Sequence, residues 1–128
     1  SHDIAVPIGD IPRFVQTAGR AVDEAFPGAE IAIVAHVGDG NLHYNVIFEK
    51  SRWDGIPDQL QMRKNIYKAI YDIAAGMNGT FSAEHGIGAL HVAEMQTYKS
   101  AIELEIMKQI KALFDPDNRM NPGRVLPS

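Results

Sequence analysis

The segment that most constrains the fold runs through Asp39-Gly40, where two stretches of alternating apolar residues meet. Asp-Gly between two such stretches predicts a β-hairpin with a two-residue turn, because both turn positions require positive φ. In that register His36 lies directly opposite His43, with Cβ atoms roughly 5 Å apart on one face of the sheet. Asn45, two residues beyond His43, shares that face. The hairpin therefore predicts a polar patch of two imidazoles and one amide.

The segments around the hairpin predict a single α+β domain over residues 1–128. The predicted order is β-α-β-β-α-β, which is typical of the ferredoxin-like split βαβ fold, an antiparallel four-stranded sheet with helices on one face. Two further helices follow at the C-terminal end. The histidine face of the sheet is then left uncovered for a substrate, a cofactor or another domain. The predicted elements are strands at 2–8, 30–37, 42–49 and 80–83, helices at 11–26, about 59–76, 89–98 and 101–114, and a loop at 51–58.

Apolar residues recur at helical spacing in the first and last of these helices. Each series marks one face of its helix. Ser100-Ala-Ile-Glu103 is a capping-box sequence, which predicts the start of the last helix. The two series are Ile11, Phe14, Val15, Ala18, Val22, Ala25 and Phe26 in the first helix, and Ile102, Ile106, Ile110, Leu113 and Phe114 in the last.

The composition excludes several classes of protein. There is no cysteine, so disulfide scaffolds, iron–sulfur clusters and thiolate zinc are excluded, and a metal would need histidine, aspartate or glutamate ligands. A net charge of −4 without a basic run disfavours nucleic-acid binding. No apolar stretch approaches the roughly 18 residues of a membrane span. We expect a cytoplasmic protein, either free or at the inner face of a membrane, and a chain that is part of a longer protein.

The two histidines of the hairpin could share a metal ion about 2.0–2.1 Å from each nitrogen. Glu84 is the best-placed third ligand, because the glycines after it allow close backbone approach. In the split βαβ strand order, however, the fourth strand adjoins the first, so Glu84 has to reach across toward His43. His85 is either a further ligand or a free base near pH 7. His91 is expected to be a structural or surface residue within the following helix.

Two motifs resemble the signatures of the FAD-linked oxidase C-terminal domain family. They are His-Val-Gly-Asp-Gly-Asn-Leu-His-Tyr-Asn at 36–45 and Gly-Thr-Phe-Ser-Ala-Glu-His-Gly-Ile-Gly at 79–88. Asp-Ile-Ala-Val-Pro at 3–7 and Met-Asn-Pro-Gly-Arg-Val-Leu-Pro at 120–127 match as well. The family includes D-lactate dehydrogenase, the glycolate oxidase D subunit and D-2-hydroxyglutarate dehydrogenase. The resemblance covers nearly the whole chain and does not specify the substrate.

The resemblance implies a metal centre and a general base. His36, His43 and Glu84 would hold a divalent metal, zinc or manganese. Asn45 would contact the substrate, and His85 would take the proton of the substrate hydroxyl. The chain would be the C-terminal part of an FAD-dependent 2-hydroxy-acid dehydrogenase, in which hydride passes to the flavin.

The resemblance also implies which partners the chain has. FAD would be bound mainly by an N-terminal domain that this chain lacks, and Asn121 would lie near the flavin or that domain. The expected partners are a small 2-hydroxy acid, the FAD-binding domain of the same protein and a second copy in a homodimer. The chain alone is expected to be inactive and free of flavin.

Two other functions stay open. The chain could be a non-enzymatic ferredoxin-like module for metal binding or interaction. It could also be a metal-dependent hydrolase that uses His36, His43 and Glu84 to activate a water. The hydrolase would be active as this chain alone, whereas the dehydrogenase would not.

Overall fold

The computed structural model describes residues 1–127, which contain three β-strands and five α-helices. The predicted α+β class is confirmed. The chain forms two compact units, the first at Ser1–Glu84 and the second starting at His85. The elements are β1 (His2–Ala5), α1 (Ile11–Ala25), β2 (Glu30–His36), β3 (Asn41–Ile47), α2 (Lys50–Asp54), α3 (Gln59–Gly76), α4 (Val92–Tyr98) and α5 (Ala101–Phe114).

The strands of the first unit form an antiparallel sheet in the order β1-β3-β2. The prediction of a full fourth strand at residues 80–83 is wrong, because only Thr80 bridges to β1, opposite Ala5. The Thr80 hydroxyl accepts the N–H of Ser82, and the Asp3 carboxylate accepts the N–H of Ala83. These side-chain bonds compete with a regular ladder, so the segment forms one β-bridge to β1 and no further strand.

The hairpin joins β2 to β3, but its predicted register is wrong by two residues. His43 lies opposite Val34, and His36 lies opposite Asn41. The connection is a 3-10 turn at Val37–Asp39 followed by Gly40 in the left-handed region at φ 73°, not a two-residue Asp-Gly turn. An even shift keeps every side chain on its predicted face. His36 and His43 therefore still share a face, now as diagonal neighbours.

The core of the first unit lies between the sheet, α1 and α3. The ring of Phe14 on α1 meets the ring of Tyr44 on β3 edge to face, with centroids 5.7 Å apart. His2 is buried in the same core, and its Nδ1 lies 2.7 Å from the carbonyl oxygen of Tyr44. The sheet thus turns one face to the helices. The buried core residues are Ile4, Leu42 and Tyr44 from the sheet, Phe14, Ala18 and Val22 from α1, and Ile66, Ile70, Tyr71 and Ala74 from α3.

The predicted loop at 51–58 is partly wrong, because α2 covers Lys50–Asp54. Trp53 on this helix packs against Phe48, with ring centroids 5.6 Å apart, and the guanidinium of Arg63 lies 4.8 Å from the Trp53 ring centroid. Burial of the indole against these two neighbours stabilises the short helix.

The second unit begins with a glycine-rich turn and continues with α4 and α5. α4 starts at Val92 and not near residue 89, so the prediction that His91 lies inside the helix is wrong. His91 is the N-cap residue of α4, with φ −112° and ψ 19°, and Gly86 and Gly88 are left-handed, with φ of 78° and 54°, in the turn before it.

The capping box predicted for α5 is confirmed. The Ser100 hydroxyl accepts the N–H of Glu103 at 3.2 Å, and the Glu103 carboxylate accepts the N–H of Ser100 at 3.0 Å. These bonds to Ser100, together with Lys99, lower the pKa of Glu103 to about 2. Within residues 1–127, no helix combines the length and apolar character needed to span a membrane.

Candidate metal centre

The face of the sheet opposite the core carries an acid on β1 to which the sequence analysis gave no role. Asp3 lies directly across from His43 in the antiparallel pairing of β1 with β3, so the two side chains share a face. Asp3 Oδ1 is 3.9 Å from His43 Nδ1. Asp3 is 8% exposed and the His43 side chain 17% exposed, so water only weakly screens the Asp3 carboxylate from the His43 ring.

Glu84 reaches the other nitrogen of the same ring. Its Oε1 lies 2.6 Å from His43 Nε2. Only β1 separates the Glu84 segment from His43. β1 pairs with β3 on one side, and on its other side the segment that contains Glu84 is attached through the bridge between Thr80 and Ala5. The Asp3 carboxylate holds the backbone at Glu84, because Asp3 Oδ2 accepts a hydrogen bond from the Glu84 N–H at 2.9 Å. His43 is thus flanked by a carboxylate at each ring nitrogen.

Asp3, His43 and Glu84 form a set of residues that could hold a metal ion. Each of these residues offers one atom that can bind a metal, and these three atoms lie within 4.8 Å of one another. An imidazole nitrogen with carboxylate oxygens is a donor set that suits zinc and manganese. The residues present therefore fit the kind of metal that the resemblance implies.

His36 and Asn45 lie on the same face as this set. The His36 ring is edge-on to the His43 ring, with centroids 5.8 Å apart, and His36 is exposed at the end of β2. The side-chain amide of Asn45 donates to the carbonyl oxygens of Ala32 and His43, each at 3.1 Å. These two bonds fix the direction in which the amide faces. That His36 binds metal and that Asn45 binds substrate stay predictions.

The other two predicted site residues belong to the second unit. His85 follows Glu84 directly in the chain and is exposed. Asn121 has φ 49° and lines, with Lys111 and Arg124, a cavity of about 350 Å³ within that unit. The assignment of His85 as base and of Asn121 as a flavin contact stay predictions.

Asp3 is the site residue that sequence reasoning missed. One signal for it was present, namely an acid inside a strand-like run, since such an acid is seldom buried without a partner. Its partner, however, comes from β3, and the register that places Asp3 opposite His43 could not be read from the sequence.

Comparison with known proteins identifies the family. The family described as FAD linked oxidases, C-terminal domain, matches residues 1–125. D-2-hydroxyglutarate dehydrogenase of Stutzerimonas stutzeri is 34% identical over 128 residues, which cover 97% of this chain and 26% of that protein. D-lactate dehydrogenase of Archaeoglobus fulgidus is 32% identical over 128 residues, again 97% of this chain and 26% of the relative.

A vertebrate relative is equally similar. The probable mitochondrial D-lactate dehydrogenase of Danio rerio is 34% identical over 127 residues, which cover 98% of this chain and 24% of that protein. This chain thus spans about a quarter of the length of the curated relatives it matches. With the family matched over residues 1–125, the chain belongs to the C-terminal domain family of the FAD linked oxidases.

Proposed function

We propose that this chain is the substrate- and metal-binding part of an FAD-dependent enzyme that oxidises a 2-hydroxy acid to a 2-oxo acid. The family match and the names of the relatives, which are dehydrogenases of D-2-hydroxyglutarate and D-lactate, support this reaction class. The observation that carries the proposal is the contact of 2.6 Å between His43 Nε2 and Glu84 Oε1, because it joins the two signature motifs of the family on one sheet face.

In this proposal His43 and Glu84 hold a divalent ion, zinc or manganese, with His36 as the third ligand. Two observations support this ligand set: the imidazole and carboxylate donors are of the type that such ions bind, and the His36 and His43 ring centroids lie 5.8 Å apart. A bound ion would supply Lewis-acid chemistry that lowers the pKa of the substrate hydroxyl, and FAD would supply the oxidising power. Asn45 orients the substrate through its amide, whose direction is set by its bonds to the sheet backbone. Asn121 contacts the flavin-bearing part of the protein.

His85 takes the hydroxyl proton in this proposal. Its imidazole is a side chain of the type that serves as a general base, and it follows the proposed ligand Glu84 directly in the chain. His85 would receive the hydroxyl proton, and FAD, when bound, would supply the two-electron oxidant that leaves a carbonyl at C2.

The test is flavin reduction by D-2-hydroxy acids in the complete flavin-containing protein. His85→Ala should slow reduction by at least about 100-fold, the usual contribution of a general base, while FAD stays bound. His91→Ala is the matched control, since it removes a histidine from the same unit and should reduce flavin at the wild-type rate. Reduction at the wild-type rate by His85→Ala would exclude this residue as the base.

The chain by itself provides the test of the hydrolase alternative. With zinc added it should hydrolyse no ester or amide, because the proposed reaction needs flavin. Hydrolysis by the isolated chain that disappears in Glu84→Gln would favour the hydrolase instead.

A further inference from the structure

We propose that Asp3 is the positioning residue of the candidate metal centre, and that it holds Glu84 and His43 in the arrangement that binds the ion. The inference rests on the metal role given to Glu84 and His43 under the proposed function. It adds a residue of β1 that acts through both of them.

The first contribution of Asp3 is to the backbone of the Glu84 segment. Asp3 Oδ2 accepts the N–H of Ala83 at 3.0 Å and that of Glu84 at 2.9 Å. The Ala83 N–H also contacts the Asp3 carbonyl oxygen at 3.2 Å, so β1 binds this segment through backbone and side chain together. Hydrogen bonds from backbone N–H groups to a carboxylate are charge-assisted and roughly twice as strong as neutral ones. Asp3 therefore fixes the point from which the Glu84 side chain starts.

The second contribution of Asp3 is to the orientation of His43. Asp3 Oδ1 faces Nδ1, and Glu84 Oε1 faces Nε2 on the other side of the ring. At 3.9 Å the contact with Nδ1 is too long for a direct hydrogen bond and acts as an electrostatic attraction. When Nε2 binds a cation, the proton of the imidazole is on Nδ1, and a carboxylate on that side stabilises this form. Histidine ligands in metal sites commonly have such a carboxylate.

Burial distinguishes Asp3 from the ligands themselves. The Glu84 side chain is 46% exposed and Asp3 is 8% exposed, so an ion that arrives from solvent meets Glu84 first. Asp3 Oδ2 is already engaged by two N–H donors. Placing a carboxylate inside the sheet costs desolvation energy unless its charge is compensated. The bonds from the Ala83 and Glu84 N–H groups to Asp3 Oδ2 provide part of that compensation.

The experiment uses two substitutions that separate these contributions. Asp3→Asn keeps an oxygen that can accept the Glu84 N–H and removes the negative charge beside His43. Asp3→Ala removes both. Asp72→Asn is the matched control, because it neutralises an exposed acid of the same unit that pairs with Lys68 on α3. Circular dichroism of each variant checks that the fold is kept.

Zinc affinity of the 128-residue chain, measured by calorimetry, is the first readout. Asp3→Asn should weaken binding by about 10- to 100-fold, the usual effect of losing the carboxylate partner of a histidine ligand. Asp3→Ala should weaken it further, and Asp72→Asn should bind as wild type. The second readout is hydrogen exchange of the Glu84 amide without added metal, which should accelerate in Asp3→Ala and not in Asp72→Asn.

The visible spectrum of bound cobalt(II) distinguishes a residue that positions the ligands from a residue that is itself a ligand. At saturating cobalt the visible spectrum of Asp3→Asn should equal that of wild type, because the ligands are the same. An altered spectrum would make Asp3 a ligand and overturn the inference. Wild-type zinc affinity in Asp3→Asn, or wild-type exchange of the Glu84 amide in Asp3→Ala, would overturn it too. A wild-type chain that binds neither ion would instead refute the metal role in the proposed function.

Discussion

Helices α1 and α5 carry the same kind of apolar series, yet only one of the two is covered. Phe14, Ala18 and Val22 on α1 are fully buried. On α5 the corresponding series is exposed, from 51% at Ile106 to 76% at Leu113. Helical spacing of apolar residues identifies a face in both helices, but the elements that cover it come from elsewhere in the chain. For α1 these elements are β3 and α3, which follow it in sequence.

The two helices are consequently stabilised in different ways. α1 gains free energy from contacts such as that between Phe14 and Tyr44. α5 is supported by local bonds, which include the capping box and the pairs Lys99–Glu103 and Glu105–Gln109. Each such local bond contributes about 0.2–1 kcal/mol. The free energy gained by burying a large side chain against distant parts of the chain is several times larger than that of one local bond.

The largest expected effect is that of Phe14→Ala. The substitution leaves a cavity between α1 and Tyr44 and should lower the free energy of unfolding by about 3–5 kcal/mol. Urea denaturation followed by circular dichroism measures the change. Phe114→Ala is the matched control, since the same residue type on α5 is 74% exposed and should change stability by under about 0.5 kcal/mol. Equal losses in the two variants would contradict the contrast between the helices.

An intermediate effect is expected at Tyr44, because the pKa of its phenol depends on how well the core beside α1 excludes water. Burial, with the negative charge of Asp23 on α1, raises the pKa of Tyr44 from 10.0 to about 12. The unfolded chain therefore loses the phenol proton at lower pH than the folded chain does. Between pH 10 and about 12 the free energy of unfolding should fall by up to about 1.4 kcal/mol per pH unit.

Tyr44→Phe removes this contribution, so its stability should decline less over the same pH range. Urea denaturation of both proteins at a series of alkaline pH values measures the difference. Identical slopes would show that water reaches the phenol and that the α1 side of the core is wetter than the structure indicates.

The smallest effect is expected at Ser100, where α5 depends on its own cap. Ser100→Ala removes the acceptor for the Glu103 N–H and should lower the local stability of the first turn by about 1 kcal/mol. Hydrogen exchange of the Leu104 amide measures it. Ser100→Thr keeps the hydroxyl and should retain most of the protection. Full protection in Ser100→Ala would mean that contacts of the apolar series, and not the cap, hold α5.

The pH dependence of the same cap follows from the carboxylate of Glu103. Because its pKa is lowered from 4.5 to about 2, its stabilising effect is present above pH 4.5 and is lost as the pH falls toward 2. Exchange of the Leu104 amide in acid should therefore accelerate less steeply in Glu103→Gln than in wild type.

The sequence predicted the elements of the first unit well and their pairing less well. Apolar periodicity located α1, α3 and the two hairpin arms, since each pattern is local. The hairpin register was missed because the Asp-Gly rule considers only the turn, and here Val37–Asp39 forms a 3-10 turn. The faces were nevertheless correct, because the shift was by two residues.

The candidate site shows the same limit. His43 and Glu84 were predicted to meet, and the order β1-β3 explains how they do. Asp3 was missed because the predicted strand order gives the neighbour of β1 but not the register between them. Only the register shows that His43 is the residue opposite Asp3, and no motif around Asp3 specifies it.

Two glycines lie against the end of β1 and allow the neighbouring segments to approach it closely. A Cβ at Gly40 would lie 2.2 Å from the carbonyl oxygen of Val6, and one at Gly79 would lie 2.4 Å from that of Ala5. Neither position can therefore carry a side chain without moving the backbone. The strand is held at this end by bonds from both neighbours, since Val6 donates to Gly40 and Ala5 to Thr80.

A slip of β1 by two residues would keep its apolar side chains turned to the core, so hydrophobic burial discriminates poorly against that error. The residue opposite His43 would then be Ser1 or Ala5, and the carboxylate would be lost from the site. In the observed register Asp3 lies opposite His43, and the backbone bonds at the end of β1 have room to form because Gly40 and Gly79 carry no side chain. A residue with a Cβ at either glycine would push the end of β1 away from its neighbours, and the acid would move away from the histidine with it.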